Sequence, residues 1–178
     1  MESLAFLTEK RDKSIKARMC AKGSAQREYI ERDEAASPTV STDSILMTSV
    51  INAKQGRDVM TADVPNAFVQ CRVTEINGER IVRKIRGDLV DILLELDPTL
   101  YGEYVVHVGK SKILYVLMLK GLYGMLIASL LYYRKFVSDI KKIGFELNPY
   151  DPCTANRIVN GKQHTIVWHV DDIKSINQ

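Results

Sequence analysis

Residues 164–173 read His164-Thr165-Ile166-Val167-Trp168-His169-Val170-Asp171-Asp172-Ile173. An apolar strand runs straight into two adjacent carboxylates. In a regular strand neighbouring side chains point to opposite faces, so such a pair is awkward there. At the tip of a tight hairpin, both carboxylates can reach one solvent-facing pocket. The preceding segment agrees. Ala155–Val159 and His164–His169 flank Asn160-Gly161, a strong hairpin signal because both turn residues tolerate positive φ. Two adjacent aspartates offer hard oxygen ligands suited to Mg²⁺. One more carboxylate from a neighbouring strand would complete a two-metal site for in-line phosphoryl chemistry. Taken alone, an Asp pair after a strand is more often a turn or helix-start signal.

Working outward, Asp63 is the natural third carboxylate. Asp58 to Val64 reads as a strand, and Pro65-Asn66 breaks it. Far apart along the chain, Asp63 and Asp171 can meet only through the fold. Ser41 or Thr42 can cap a helix running to about Lys54, with Ile45, Leu46, Ser49, Val50 and Ala53 as its apolar face and Gly56 as its stop. A second helical pattern covers about 86–96, up to Pro98. Val105–Val108 and Ile113–Leu119 read as paired strands around residues 109–112. Met125 to Ile143 has the composition of a buried helix closed by Gly144. Residues 14–21 alternate Ile15, Ala17, Met19 and Ala21 with Lys16 and Arg18, as in a half-exposed strand with a basic face. Strands and helices interleave without regular βαβ spacing, so an α+β domain is expected.

The composition fits that picture. With 178 residues, 46% hydrophobic and 26% charged, the chain can bury one sizeable core, or a core with a small lobe. The net charge of +3 permits a nucleic-acid surface without demanding one. The basic run Lys10, Arg11, Lys13, Lys16, Arg18 and Lys22 reads, on charge alone, as a solvated strand edge. Cys20, Cys71 and Cys153 are widely spaced and form no CxxC pair, which suits reduced thiols and gives no zinc site. No charged-then-apolar leader opens the chain. No apolar run approaches the ~18 residues of a membrane span, so no membrane partner is expected and the protein is not expected to be secreted.

Five segments together resemble the reverse transcriptase domain of copia-type retrotransposon polyproteins. Lys16-Ala17-Arg18-Met19-Cys20-Ala21-Lys22-Gly23 is similar to the family's fingers motif KARLVAKG. Asp63-Val64-Pro65-Asn66-Ala67-Phe68 resembles its first catalytic motif, an Asp followed four and five residues later by Ala-Phe. Leu122-Tyr123-Gly124 matches LYG, Asp151-Pro152-Cys153 matches DPC, and His169-Val170-Asp171-Asp172 resembles the YVDD box. Each motif is weak by itself; five in the family's order, across about residues 4–176, are specific.

The resemblance implies an RNA-directed DNA polymerase with a fingers/palm fold and a ferredoxin-like split βαβ palm. Residues 1–178 would form one partial domain, about 1–56 mainly fingers and 57–178 mainly palm with inserted fingers segments. It would be truncated before the thumb, leaving an open sheet edge at the C-terminus. Asp63 and Asp171, supported by Asp172, would hold two Mg²⁺ ions, with Mn²⁺ as a substitute. Lys16 and Arg18 would contact the triphosphate, and Phe68 would exclude a ribose 2′-hydroxyl. Tyr123 and Gly124 would touch nucleotide and template where close backbone approach needs glycine. Partners would be an RNA template, a DNA primer, deoxynucleoside triphosphates and the thumb and RNase H modules of the same polyprotein, in cytoplasmic virus-like particles or the nucleus. Two departures stand out. Met125-Leu126-Ile127-Ala128-Ser129-Leu130 replaces the family's polar L-K-Q-A-P-R, and His169 stands where Tyr is usual. These departures keep open an alternative, a catalytically silent nucleic-acid-binding remnant.

Overall fold

A computed structural model describes residues 2–28, 30–73 and 80–177. In chain order the elements are β1 (Ser3–Glu9), β2 (Ile15–Ala21), α1 (Arg32–Ala35), α2 (Thr42–Gln55), β3 (Asp58–Asp63), β4 (Val82–Arg86), α3 (Asp88–Leu96) and α4 (Pro98–Tyr101). They continue with β5 (Val105–Val108), β6 (Ser111–Leu117), α5 (Ala128–Lys142), β7 (Glu146–Leu147), β8 (Thr154–Val159), β9 (Lys162–His169) and β10 (Asp172–Asn177). The class is mixed α+β. The chain forms two compact units, Met1–Glu34 with Arg72–Ala128, and Ala35–Cys71 with Ser129–Gln178.

The first unit holds an antiparallel β1-β2 ribbon and a three-stranded sheet in the order β4-β6-β5. Its core is Ile85, Val90 and Leu114, with Leu89 and Leu93 of α3 packed beside them. The basic strand falls at β2 as expected. Its apolar side is less covered than alternation suggested, since Ile15 and Met19 are exposed and only Ala21 is buried. A two-stranded ribbon buries little by itself; Arg83 Nη2 of β4 donates to Met19 Sδ at 2.7 Å.

The second unit is a five-stranded antiparallel sheet, order β3-β10-β9-β8-β7, with a helix on each face. Ile166 and Trp168 of β9 join Ala155, Ile140 and Phe145 in a core under α5, together with Phe136 and Val137. On the other face Thr165, Val167 and Ile176 are buried, and Lys174 Nζ donates to Ser49 Oγ of α2 at 2.8 Å. Asn160 and Gly161 both have positive φ, 52° and 76°, the signature of a type I′ hairpin.

Three expectations need correction. The buried side of α2 runs through Ser44, Thr48 and Asn52, while Ile45, Leu46 and Val50 are exposed. Small polar residues let the helix lie close to the sheet; Thr48 Oγ1 returns its hydrogen bond to Ser44 O at 2.8 Å. The long helix starts at Ala128 rather than Met125, because residues 121–127 form a latched turn described below. The last strand is not an open edge either. β10 lies between β9 and β3, so the sheet's edges are β3 and β7. Among the described residues no helix is long and apolar enough to cross a membrane.

Candidate active site

The sheet register decides where the carboxylates lie. Antiparallel pairing sets Asp63 directly opposite Asp172, and Asp172 opposite His169. Directly paired residues share a face, so His169, Asp172 and Asp63 form one row across β9, β10 and β3. Asp63 and Asp172 are exposed, and Asp171 is half-buried. Asp171 escapes the strand problem by sitting in the two-residue turn Val170-Asp171. Only the first turn residue has positive φ: Val170, at 57°. That position normally takes glycine, and a β-branched residue there costs of order 1–3 kcal/mol. The turn is tied to the strand that carries the third aspartate, because Val64 N donates to Asp171 O at 3.0 Å.

Behind this sheet end lies Tyr132 of α5, which is 4% exposed. It packs with Ala67, Cys71, Val64 and Phe68, the residues that follow Asp63. Its ring meets Phe68 edge-on at 6.3 Å and stacks on Phe136 at 5.9 Å. Phe136 in turn touches Trp168 at 5.1 Å, just before the Asp171 turn. The hydroxyl is buried and has no hydrogen-bond partner among the described residues. Burial, followed by the negative charges of Asp171, Cys71 and Asp63, pushes its pKa up to about 12. Tyr132 therefore sits within electrostatic reach of both Asp171 and Asp63.

A cleft of about 420 Å³ opens beside the same sheet end, walled by Ile45, Asp63, His169, Asp172 and Lys174 among others. Among the described residues no group of three His, Cys, Asp or Glu side chains is arranged to hold a metal ion. Mg²⁺ does not require such a cage. It is commonly bound by one or two carboxylates and completes its shell with waters and substrate phosphates. Two carboxylates on adjacent strands would suit that open kind of coordination.

Phe68 is half-buried in the 3₁₀ turn Ala67–Gln70 directly after the Pro65-Asn66 break. The remaining expected residues belong to the first unit. Lys16 and Arg18 are exposed on β2, paired with Thr8 and Phe6. Tyr123 O accepts from Ala21 N at 2.6 Å. A Cβ on Gly124 (φ +86°) would strike the Ala21 carbonyl, and one on Gly23 would strike Gly124 O. The two backbones thus interlock where only glycine fits. Gln26, fully buried, completes the latch by accepting from Leu126 N at 2.9 Å. Of the apolar residues at the three positions expected to be polar, Ile127 is buried and Leu126 and Leu130 are half-buried.

Asp151 of the DPC motif proves to be a structural tie. It is 4% exposed and accepts from Ser41 N (3.0 Å), Ser41 Oγ (3.0 Å) and Cys153 N (2.9 Å). Burial alone would raise its pKa, but hydrogen bonds from Ser44, Ser41 and Cys153 outweigh that and hold it below the usual carboxylate range. The three cysteines are free, and burial followed by the Asp151 charge pushes the Cys153 thiol up to about 11, leaving it protonated and inert. The residues that reading by type alone passed over are Tyr132, Gln26 and the tying role of Asp151. Compared with protein-family models, curated proteins and solved structures, the chain matches none of them.

Proposed function

We propose that this chain is the fingers-and-palm part of an RNA-directed DNA polymerase of the copia retrotransposon type. The observation that carries the reading is the register of Asp63 against Asp172, with Asp171 held in the adjoining turn. Magnesium bound there would supply charge stabilisation for the attacking and leaving oxygens of nucleotidyl transfer. Asp63 and Asp171 would be its main ligands, with Asp172 in support. Phe68, buttressed edge-on by Tyr132, would present a rigid ring that favours deoxynucleotides by excluding a 2′-hydroxyl. Lys16 and Arg18, exposed on β2, would bind phosphate, the guanidinium fork matching its oxygens. Tyr123 and Gly124 would contact nucleotide and template. On this reading the template is RNA, the primer DNA, and the working enzyme includes the thumb and RNase H of the same polyprotein, in a virus-like particle or the nucleus.

Primer extension on poly-rA with oligo-dT and Mg²⁺ tests the proposal. The wild-type chain incorporates deoxynucleotide and the Asp171→Asn/Asp172→Asn double variant does not. Equal incorporation by the two would remove the catalytic claim. The apolar Leu126, Ile127 and Leu130, Ile127 among them buried, favour a second reading, a silent remnant that binds nucleic acid without extending it. That reading expects salt-dependent binding to RNA–DNA hybrid, lost on charge reversal at Lys16, Arg18 and Lys22, with no incorporation.

A further inference from the structure

A second cavity, of about 370 Å³, lies inside the second unit between α2 and the sheet. Its size is that of a small-molecule site. It reaches Thr165 and Ile176, at the end of β9 and β10 opposite to His169 and Asp172. Register puts Thr154, Asn156, Gln163 and Thr165 on one face of β8 and β9, where they line the cavity with Thr48 and Asn52 of α2. A helix usually packs on a sheet through apolar side chains, yet this wall is made of amides and hydroxyls. Asn52 and Thr154, 6% and 4% exposed, leave Nδ2 and Oγ1 unpaired. Those two atoms are closed even to water and are not binding groups. They show that the wall is polar at a cost to stability.

The binding groups are the open ones. Asn156 Oδ1 accepts from Gln163 Nε2 (2.8 Å) and Thr165 Oγ1 (2.7 Å), and Asn148 Oδ1 accepts from Tyr150 N (2.8 Å). With their oxygens engaged, both asparagines keep an amide N–H₂ that has no partner among the described residues and is not closed off. Gln163, exposed, likewise keeps its Oε1. Arg57 is half-buried and braced by Nε, which donates to Gln55 Oε1 at 2.6 Å. Its other two nitrogens meet no carboxylate among the described residues, and none of the residues lining the cavity is acidic. The lining is therefore rich in donors, carries one cation and has apolar surface from Met47 and Ile51. We propose that this cavity binds a small organic acid whose neutral part presents carbonyl acceptors, as a uracil ring does. The acid pairs with Arg57, the carbonyls accept from Asn148 and Asn156, and a ring N–H donates to Gln163 Oε1. A guanidinium fork fits phosphate or carboxylate oxygens, and side-chain amides match the hydrogen-bonding edges of bases. The site owes nothing to the reading of the aspartates as cation ligands.

The test titrates the full chain calorimetrically with three probes: uridine 5′-monophosphate, orotate and uridine. They carry the same ring with a phosphate, a carboxylate and no charge. The proteins are wild type, Arg57→Gln and Met47→Trp, each checked by its thermal midpoint. Wild type is expected to bind one of the two acids about tenfold or more tightly than uridine, as a hydrogen bond to a charged group implies. Whichever acid binds identifies the anion. Arg57→Gln is expected to bring that acid down to the level of uridine. Met47 lines the cavity yet is 62% exposed, so Met47→Trp narrows the opening without touching the core. It is expected to lose binding while its midpoint stays at the wild-type value. The proposal is overturned if wild type binds neither acid, or binds uridine as tightly as both. It is equally overturned if Arg57→Gln or Met47→Trp binds the acid as wild type does.

Discussion

Replacing Asp151 offers the sharpest check on how the second unit is held together. One oxygen of this buried carboxylate accepts from both Ser41 N and Ser41 Oγ, and the other accepts from Cys153 N. Asparagine keeps a single acceptor oxygen. Set toward Cys153, it turns an amide N–H₂ toward two donors. The Ser41 hydroxyl can rotate to accept, but Ser41 N cannot, and a buried unpaired donor costs about 1–3 kcal/mol. Asp151→Asn should therefore lose about 2 kcal/mol at neutral pH. Asp151→Ala leaves the donors unmatched and a void as well, and should lose roughly 3–5 kcal/mol. The pH dependence gives a second signature. The folded pKa of Asp151 is depressed, so the unfolded chain binds the proton more readily. Its stabilisation is full above the unfolded value of about 4 and fades as pH falls through the folded one. Urea unfolding of wild type and both variants from pH 7 to pH 3 reads both effects. A loss below about 0.5 kcal/mol at pH 7, or a difference between wild type and Asp151→Ala that stays constant down to pH 3, would refute the reasoning.

Three other outcomes are expected. Gly124→Ala should cost about 2 kcal/mol or more in thermal unfolding, because the new Cβ meets the Ala21 carbonyl at a left-handed φ; a neutral variant would show that the interlock is soft. His164 receives the Arg157 Nε–H at Nδ1 (3.3 Å) and shares a 2.8 Å hydrogen bond with Ser175 at Nε2, and burial followed by the Arg157 charge lowers its pKa. Stability should be full above about pH 6.5 and fall as pH drops below it, since the unfolded chain takes up the proton first; His164→Gln should flatten that slope. Asp63→Asn should raise stability without cation by a few tenths to about 1 kcal/mol, by removing the like charge opposite Asp172, while abolishing primer extension.

What could be read in advance follows from how local each signal is. Asn160-Gly161 announces its hairpin because both residues accept positive φ, and Gly56 ends α2 because glycine suits the left-handed cap. The α2 face was misjudged for a physical reason. Apolar spacing marks a stripe, but the stripe that meets the sheet here is Ser44, Thr48 and Asn52, and nothing local tells a helix which side its neighbour will take. Residues 125–127 read as helical by composition; the close backbone approach of Gly124 to residues 21–23 and the reach of Gln26 make them part of a turn instead. Asp63 and Asp172 face each other only through a register that no local pattern contains, so order and type of motifs were the one clue. Tyr132 carried no mark, since an aromatic on a helix looks the same whether its hydroxyl is paired or stranded.

The case for a working site is strongest where these surprises coincide. A valine in the left-handed region, two like charges placed opposite each other and a buried hydroxyl without a partner gather at one end of one sheet. Each disfavours the folded chain, by of order 1–3 kcal/mol for the backbone, about 0.2–1 for the charges and about 1–3 for the hydroxyl. A sequence shaped only for stability would place glycine, one neutral residue and phenylalanine there. Buried unpaired atoms also occur on Gln26, Asn52, Arg83 and Thr154, so it is the strained turn and the facing carboxylates that mark this sheet end. On the proposed reading, a divalent cation would turn the repulsion between the aspartates into attraction. The strained turn is what sets Asp171 beside Val64, next to Asp63.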